Sequence, residues 1–139
     1  TIGTAESATG GLVATQLTAV PGSSATFRGS IIAYAPDLKV SRLGVPAELL
    51  ETSGIVSEDT ALAMARGART ALGVDVAVAV TGSAGPDPLE VDVGTMCVAV
   101  VTPVAERSRT FHMPGDRERI RAYTATAALH QVRLTIDAS

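Results

Sequence analysis

The chain has 139 residues, of which 46% are hydrophobic and 3% aromatic, with a net charge of −3 and an isoelectric point near 5.3. This length suits one domain, residues 1–139, and the acidic balance without a basic stripe excludes nucleic acid as the main partner. The single cysteine excludes an internal disulfide. The chain has no apolar run of membrane length and no signal peptide, so we expect no membrane partner and a cytoplasmic location.

The first predicted element is a short strand over residues 1–6, followed by a turn rich in hydroxyl groups and glycine and a helix over about residues 11–19. Such a unit binds anions, because free N–H groups and the helix dipole favour negative charge. The candidate ligands of the turn are Ser7, Thr9, Gly10 and Gly11. In the alternative interpretation, the hydroxyl side chains only cap the helix and the glycines ease its packing. The spacing does not decide between the two.

The next stretch contains a serine, a short apolar strand, a tyrosine and a lysine. Ser24 precedes the strand at residues 31–33, which Pro36 ends because proline lacks an amide hydrogen. Tyr34 lies at the strand's end and Lys39 just beyond it. An amine held near a serine on apolar walls can lose its proton and act as the base that activates the hydroxyl. The alternative is a loop serine, a strand-end tyrosine and a solvated lysine.

Three helices are then predicted, two short and one longer. The first short helix covers about residues 37–43. The second begins at Pro46, because proline suits a first helical position. Ser57 caps the longer helix, and Gly73 ends it.

A nearly continuous apolar strand over residues 74–81 is predicted to be central, and it ends in a second glycine turn. Thr81 and Gly82 are candidate binding residues, because ligands in open α/β sheets gather at the carboxyl ends of strands. Residues 94–102 and 107–113 are predicted to pair as an antiparallel hairpin.

The last predicted helix is capped by Asp116 and has three arginines in its first turns, Arg117, Arg119 and Arg121. Most such arginines are solvated, although one near the N-terminus can meet a phosphate. The two histidines are isolated, so we expect no metal site.

Helices alternate with strands and one hairpin is antiparallel. We therefore predict a three-layer α/β/α domain on a mixed sheet of about five strands. Alanine-rich helices suggest self-association as a homo-oligomer. Because Thr1 opens the chain inside a strand, we also expect a fused N-terminal helix or domain upstream.

Eight short motifs occur in one order along the chain. They are Ala-Glu-Ser-Ala-Thr-Gly-Gly (5–11), Pro-Gly-Ser-Ser (21–24), Ala-Tyr (33–34) with Lys39 beyond it, Leu-Gly-Val-Pro (43–46), Gly-Ile-Val-Ser-Glu (54–58), Val-Thr-Gly-Ser-Ala-Gly-Pro (80–86), Val-Gly-Thr (93–95) and Pro-Gly-Asp-Arg (114–117). Together they resemble the C-terminal domain of the CinA family, the nicotinamide-mononucleotide amidohydrolase (PncC) module, over essentially the whole chain.

The resemblance implies hydrolysis of the carboxamide of nicotinamide mononucleotide to nicotinate mononucleotide and ammonia, in pyridine-nucleotide salvage, without a metal or other cofactor. The family's nucleophilic serine matches Ser24, its lysine base Lys39 and its assisting tyrosine Tyr34. Its substrate-binding positions match Ser7, Thr81 and Arg121, and the glycine turns would hold the phosphate. The alternative is a non-catalytic nucleotide-binding or regulatory domain of a larger CinA-type protein.

The chain departs from the family pattern in three places. Ala8 stands where the family usually has cysteine, and Ser83 replaces an isoleucine in the second glycine turn. Val91 and Asp92 stand where a Lys-Pro pair usually precedes Val-Gly-Thr. Substrate preference around residues 87–92 is therefore the property that we expect to differ.

Overall fold

The computed structural model describes residues 1–139 and contains five strands and five main helices. The strands are Ile2–Glu6 (β1), Phe27–Ile32 (β2), Val76–Gly82 (β3), Thr95–Val101 (β4) and Glu106–His112 (β5). The helices are Leu12–Thr18 (α1), Pro36–Leu43 (α2), Ala47–Ser53 (α3), Glu58–Leu72 (α4) and Arg117–Asp137 (α5). Every predicted element is present. The largest difference is β2, which begins at Phe27, well ahead of the apolar segment that predicted it.

The five strands form one mixed sheet in the order β2-β1-β3-β4-β5. β1 pairs in parallel with both β2 and β3, while β4 pairs antiparallel with β3 and with β5. In the register, Glu6 at the end of β1 lies opposite Ile32 of β2 and Val80 of β3. The carboxyl ends of the three parallel strands therefore meet at one edge of the sheet.

Helices cover both faces of the sheet, which confirms the predicted three-layer α/β/α architecture. On one face α2, α3 and α4 enclose a core of mainly alanine and valine side chains that also contains the fully buried Met64. On the other face α1 and α5 pack over a second core that includes Val13 and Ile120. Small side chains let the helices approach closely: a Cβ on Gly67 of α4 would lie 1.7 Å from the Leu43 carbonyl oxygen of α2.

Local sequence sets the helix boundaries that matter for the site. Pro36 begins α2 immediately after β2, and Gly44 ends it in the left-handed conformation. The side chains of Ser57 and Asp116 accept hydrogen bonds from Thr60 N and Arg119 N, so both predicted caps are confirmed. None of the helices, including the 21-residue α5, combines the length and hydrophobicity that crossing a bilayer would require.

Candidate active site

A buried lysine is bonded to a serine at the carboxyl edge of the parallel strands. Lys39 has no exposed surface, and its Nζ donates to Ser7 Oγ at 3.0 Å, to the Ala33 carbonyl oxygen at 2.9 Å and to the Tyr34 carbonyl oxygen at 3.3 Å. None of these acceptors is a carboxylate. Because burial disfavours the charged ammonium, the pKa of Lys39 falls from 10.5 to about 8.

The backbone explains how these two side chains meet. Ser7 directly follows β1, and its N–H donates to the Val80 carbonyl oxygen of the neighbouring β3. Lys39 lies one turn into α2, and helical side chains lean towards the helix N-terminus, here back towards the end of β2. Ser7 is only 7% exposed and lines a cleft of about 490 Å³.

The predicted contact between Ser24 and Lys39 is wrong. Ser24 is exposed in a single 3₁₀ turn, Ser23–Ala25, that precedes β2, whereas Lys39 follows β2. The strand has six residues, which at about 3.3 Å each separates its ends by roughly 20 Å. Ser24 therefore lies towards the opposite edge of the sheet, and the serine that Lys39 meets is Ser7.

The first glycine turn already holds an anion, the side chain of Glu6. Glu6 has no exposed surface, and its Oε1 accepts from Gly11 N at 3.1 Å, Val13 N at 2.9 Å and Thr9 Oγ1 at 2.7 Å. Its Oε2 accepts from Ala14 N at 3.0 Å. The N–H groups of Gly11, Val13 and Ala14 at the start of α1, where a phosphate site was predicted, and the Thr9 hydroxyl are thus used within the chain.

Arg121 contacts the same turn rather than the cleft. Its Nε donates to the Ala8 carbonyl oxygen at 3.0 Å and its Nη2 to the Thr9 carbonyl oxygen at 3.2 Å. Gly10 has a φ of 57°, and a Cβ there would lie 3.1 Å from Nη2 of Arg121. Gly10 thus gives the guanidinium room and offers no side chain to a ligand.

In the second glycine turn, Thr81 and Gly82 have different roles. Thr81 is 1% exposed, and its Oγ1 donates to the Ile55 carbonyl oxygen at 2.9 Å, towards the segment before α4. Gly82 lines the cleft, where a Cβ would lie 2.2 Å from the Met96 sulfur. The backbone of this turn therefore borders the cleft, while the Thr81 hydroxyl proton is already donated to the protein.

Tyr34 and Arg117 form the polar side of the cleft. The Tyr34 side chain lines the cleft, and its hydroxyl accepts from Arg117 Nη2 at 3.2 Å. Arg117 also donates from Nη1 to the Gly85 carbonyl oxygen at 2.6 Å. It therefore connects Tyr34, which follows β2, with Gly85, which follows β3. Arg117 and Asp87 are the two formally charged side chains of the lining.

Comparison with known proteins identifies the chain's relatives. Residues 1–136 match the family model of the CinA C-terminal domain. The chain belongs to the CinA family. It is 49% identical to a CinA-like protein of Frankia casuarinae and 44% identical to one of Mycobacterium tuberculosis, over 96% and 98% of its length. It covers only 31% and 32% of those relatives, so it spans about a third of their length.

Solved structures of CinA proteins share the fold. The competence/damage inducible protein CihA of Agrobacterium tumefaciens superposes with a TM-score of 0.92 at 39% identity, covering 96% of this chain and 83% of that one. A competence damage-inducible protein A from Klebsiella pneumoniae gives a TM-score of 0.91 at 31% identity, covering 94% of this chain and 83% of that one. The sequence-based assignment to the CinA family is confirmed.

Within this CinA domain, the structure brings together part of the predicted site. Ser7, Tyr34 and Gly82 line the cleft and Lys39 is bonded to Ser7 there, whereas Ser24 does not reach it. Thr9, Gly11, Thr81 and Arg121 support the turns through bonds inside the chain. No cluster of three or more His, Cys, Asp or Glu side chains is arranged to hold a metal ion.

Sequence reasoning missed Ser7 as the partner of Lys39, and it missed the cleft residues Arg117 and Asp87. A signal for Ser7 was available. Ser7 and Lys39 both follow parallel strands at their carboxyl ends, whereas Ser24 precedes one. For Arg117 no comparable signal exists, because the first turns of α5 contain three arginines and only the packing of α5 decides which one faces the cleft.

Proposed function

We propose that this CinA domain hydrolyses the carboxamide of nicotinamide mononucleotide to nicotinate mononucleotide and ammonia, with Ser7 as nucleophile and Lys39 as base. The observation that carries the proposal is the 3.0 Å contact between Lys39 Nζ and Ser7 Oγ at the cleft. A serine hydroxyl is a weak nucleophile at neutral pH, and a buried amine of lowered pKa is a base able to activate it. This replaces Ser24 with Ser7 in the role expected from the family resemblance.

In the first half of the reaction, the neutral amine of Lys39 takes the Ser7 proton while Oγ attacks the carboxamide carbon. The resulting ammonium returns the proton to the departing nitrogen, the C–N bond breaks, and ammonia leaves an ester on Ser7. Water then attacks the ester and gives a proton to Lys39, which passes it back to Oγ as the C–O bond to Ser7 breaks. The balance is amide plus water to acid plus ammonia.

The negative oxygen formed during attack needs hydrogen-bond donors next to Ser7. The backbone N–H groups of Ala8 and Thr9 follow the nucleophile directly and have no acceptor within the chain. In the proposed mechanism these two groups bind the oxyanion, each contributing about 3 kcal/mol to transition-state stabilisation.

The cleft lining supports a zwitterionic substrate. Nicotinamide mononucleotide has a cationic pyridinium ring and an anionic phosphate, and the lining offers Asp87, Arg117 and the aromatic residue Tyr34. We assign the phosphate to the Arg117 side of the cleft, because Glu6 occupies the helix N-terminus where a phosphate was first expected. Tyr34 serves here as a binding wall whose hydroxyl is held by Arg117.

The test is ammonia release from a panel of pyridine nucleotides by the wild-type chain, Ser7→Ala and Ser24→Ala. We expect Ser7→Ala to lower kcat by at least about a thousandfold, because the attacking oxygen is lost. Ser24→Ala is the matched control, an exposed serine in the same chain, and should retain wild-type turnover. Binding of the nucleotide without ammonia release by the wild type would instead support the non-catalytic nucleotide-binding domain.

A further inference from the structure

We infer that Arg121 is a positioning residue that holds the Ala8 and Thr9 N–H groups in place for the oxyanion. The inference rests on the proposed function, because it assigns a purpose to the turn that follows the proposed nucleophile. The family resemblance predicted that Arg121 binds the substrate. In our inference Arg121 does not touch the substrate and acts by holding the backbone of the turn.

Most backbone N–H groups of the turn have an acceptor within the chain, but two do not. Ser7 N donates to the Val80 carbonyl oxygen, Gly10 N to the Ser7 carbonyl oxygen and Gly11 N to Glu6. This leaves Ala8 N and Thr9 N without an acceptor, although buried backbone donors are nearly always paired. Ala8 lines the cleft beside Ser7, so an acceptor in a bound ligand can reach its N–H, and in our inference the Thr9 N–H of the next peptide shares that acceptor.

The geometry of the peptide groups fixes the direction of these two N–H groups. The only cis bond in the chain is Gly85–Pro86, so the peptides of this turn are trans, and in a trans peptide the C=O and N–H point in opposite directions. The carbonyl of Ala8 and the N–H of Thr9 belong to one peptide group. When Arg121 binds that carbonyl, it therefore directs the Thr9 N–H away from α5. The Ser7 carbonyl, held by Gly10 N, fixes the Ala8 N–H in the same way.

Two arginines one helical turn apart on α5 make different contacts. Arg117 lines the cleft and contacts Tyr34 and Gly85, whereas Arg121 is absent from the lining and donates only to the Ala8 and Thr9 carbonyls. Two donors of the planar guanidinium fork meet adjacent carbonyls, an arrangement that a point charge cannot reproduce. Arg117 is thus placed to touch a ligand and Arg121 to hold the turn.

The experiment compares kcat and KM for nicotinamide mononucleotide in four variants, namely Arg121→Met, Arg121→Lys, Arg117→Met and Arg119→Met. We expect Arg121→Met to lower kcat about 30- to 300-fold with KM within about twofold, because a loosened donor pair weakens only the transition state. Arg121→Lys should recover about tenfold of that loss, because an ammonium can still donate to one carbonyl. The apparent pKa of kcat/KM should stay unchanged, since Lys39 is untouched.

The other two variants are controls. Arg117→Met should raise KM by about fivefold or more, as expected for lost ground-state binding. Arg119→Met should change neither constant, because the Arg119 side chain is exposed and makes no hydrogen bond. A second measurement, amide hydrogen exchange over residues 7–11, should be faster in Arg121→Met than in Arg119→Met.

Two kinetic results would overturn the inference: a raised KM with retained kcat in Arg121→Met, or kinetics equal to those of Arg119→Met. If Arg121→Met does not fold, Arg121→Lys provides the test: a lowered kcat with unchanged KM supports the inference, and a raised KM with retained kcat contradicts it. If the wild type releases no ammonia, the proposed function fails. The exchange comparison then still decides the role of Arg121, because equal exchange in Arg121→Met and Arg119→Met would contradict it.

Discussion

At the scale of single residues, Lys39 is a cation that the fold removes from water without a carboxylate to balance it. Its ammonium is bonded to one hydroxyl and two carbonyl oxygens, and burial lowers its pKa to about 8. Near pH 7 a fraction of the side chain is therefore already a free amine, which is the form that can accept the Ser7 proton.

This protonation state predicts the pH dependence of the reaction. We expect kcat/KM for nicotinamide mononucleotide to rise about tenfold per pH unit below pH 8 and to level off above it, because only the neutral amine is a base. Lys39→Arg should be inactive across the range, because a guanidinium does not lose its proton. A rate independent of pH between 6 and 9 would contradict the role of Lys39.

The lowered pKa of Lys39 also predicts how the stability of the fold changes with pH. The folded-state pKa is below that of the unfolded chain, so between about pH 8 and 10.5 the unfolded chain binds more protons and stability must rise with pH. Relative to Lys39→Met, the wild-type free energy of unfolding should increase across this window by at most about 3 kcal/mol. Urea unfolding at pH 7, 9 and 10.5 measures the difference, and a decrease would show that the amine is not desolvated.

At the scale of elements, the unit of β1, turn and α1 contains its own anion. The Glu6 carboxylate accepts from three backbone N–H groups at the start of α1 and from the Thr9 hydroxyl. A helix N-terminus is stabilised by negative charge, and here the chain supplies it from the last residue of the preceding strand. The same bonds fix the turn in which Ser7 lies.

Glu6→Gln should therefore destabilise the fold by about 2–3 kcal/mol, because an amide NH₂ would face backbone donors and a charged acceptor would be lost. Glu48→Gln is a suitable control, since Glu48 is exposed in the first turn of α3 and should change stability by less than about 0.5 kcal/mol. Denaturant unfolding of both variants gives the comparison. Equal stability of Glu6→Gln and the wild type would mean that the carboxylate does not hold the turn.

At the scale of the whole molecule, local patterns predicted the elements well. Pro36, Ser57, Gly73 and Asp116 marked helix boundaries, and the apolar run in β3 marked a central strand. What these patterns could not give was the choice of partners across the chain. Ser24 is nearer to Lys39 in sequence than Ser7 is, yet the parallel pairing of β1 with β2 places Ser7 beside it.

The misplaced anion site has a similar origin. A hydroxyl- and glycine-rich turn before a helix predicts an external anion, and the sequence does not show that Glu6 points into the turn rather than into solvent. That outcome depends on burial against β2 and α1, where Ser30 Oγ of β2 donates to Glu6 Oε2, as does Thr4 Oγ1 of the same strand as Glu6. Long-range packing of this kind decides the site, whereas local propensity decides the elements.

The measurement that tests the central claim most directly is identification of the acylated residue during turnover. The wild-type chain is mixed with nicotinamide mononucleotide, quenched with acid within milliseconds, digested and analysed by peptide mass spectrometry. The account predicts a nicotinate mononucleotide ester on the peptide that contains Ser7, absent in Ser7→Ala and present in Ser24→Ala. An ester on Ser24, or undiminished ammonia release by Ser7→Ala, would contradict it.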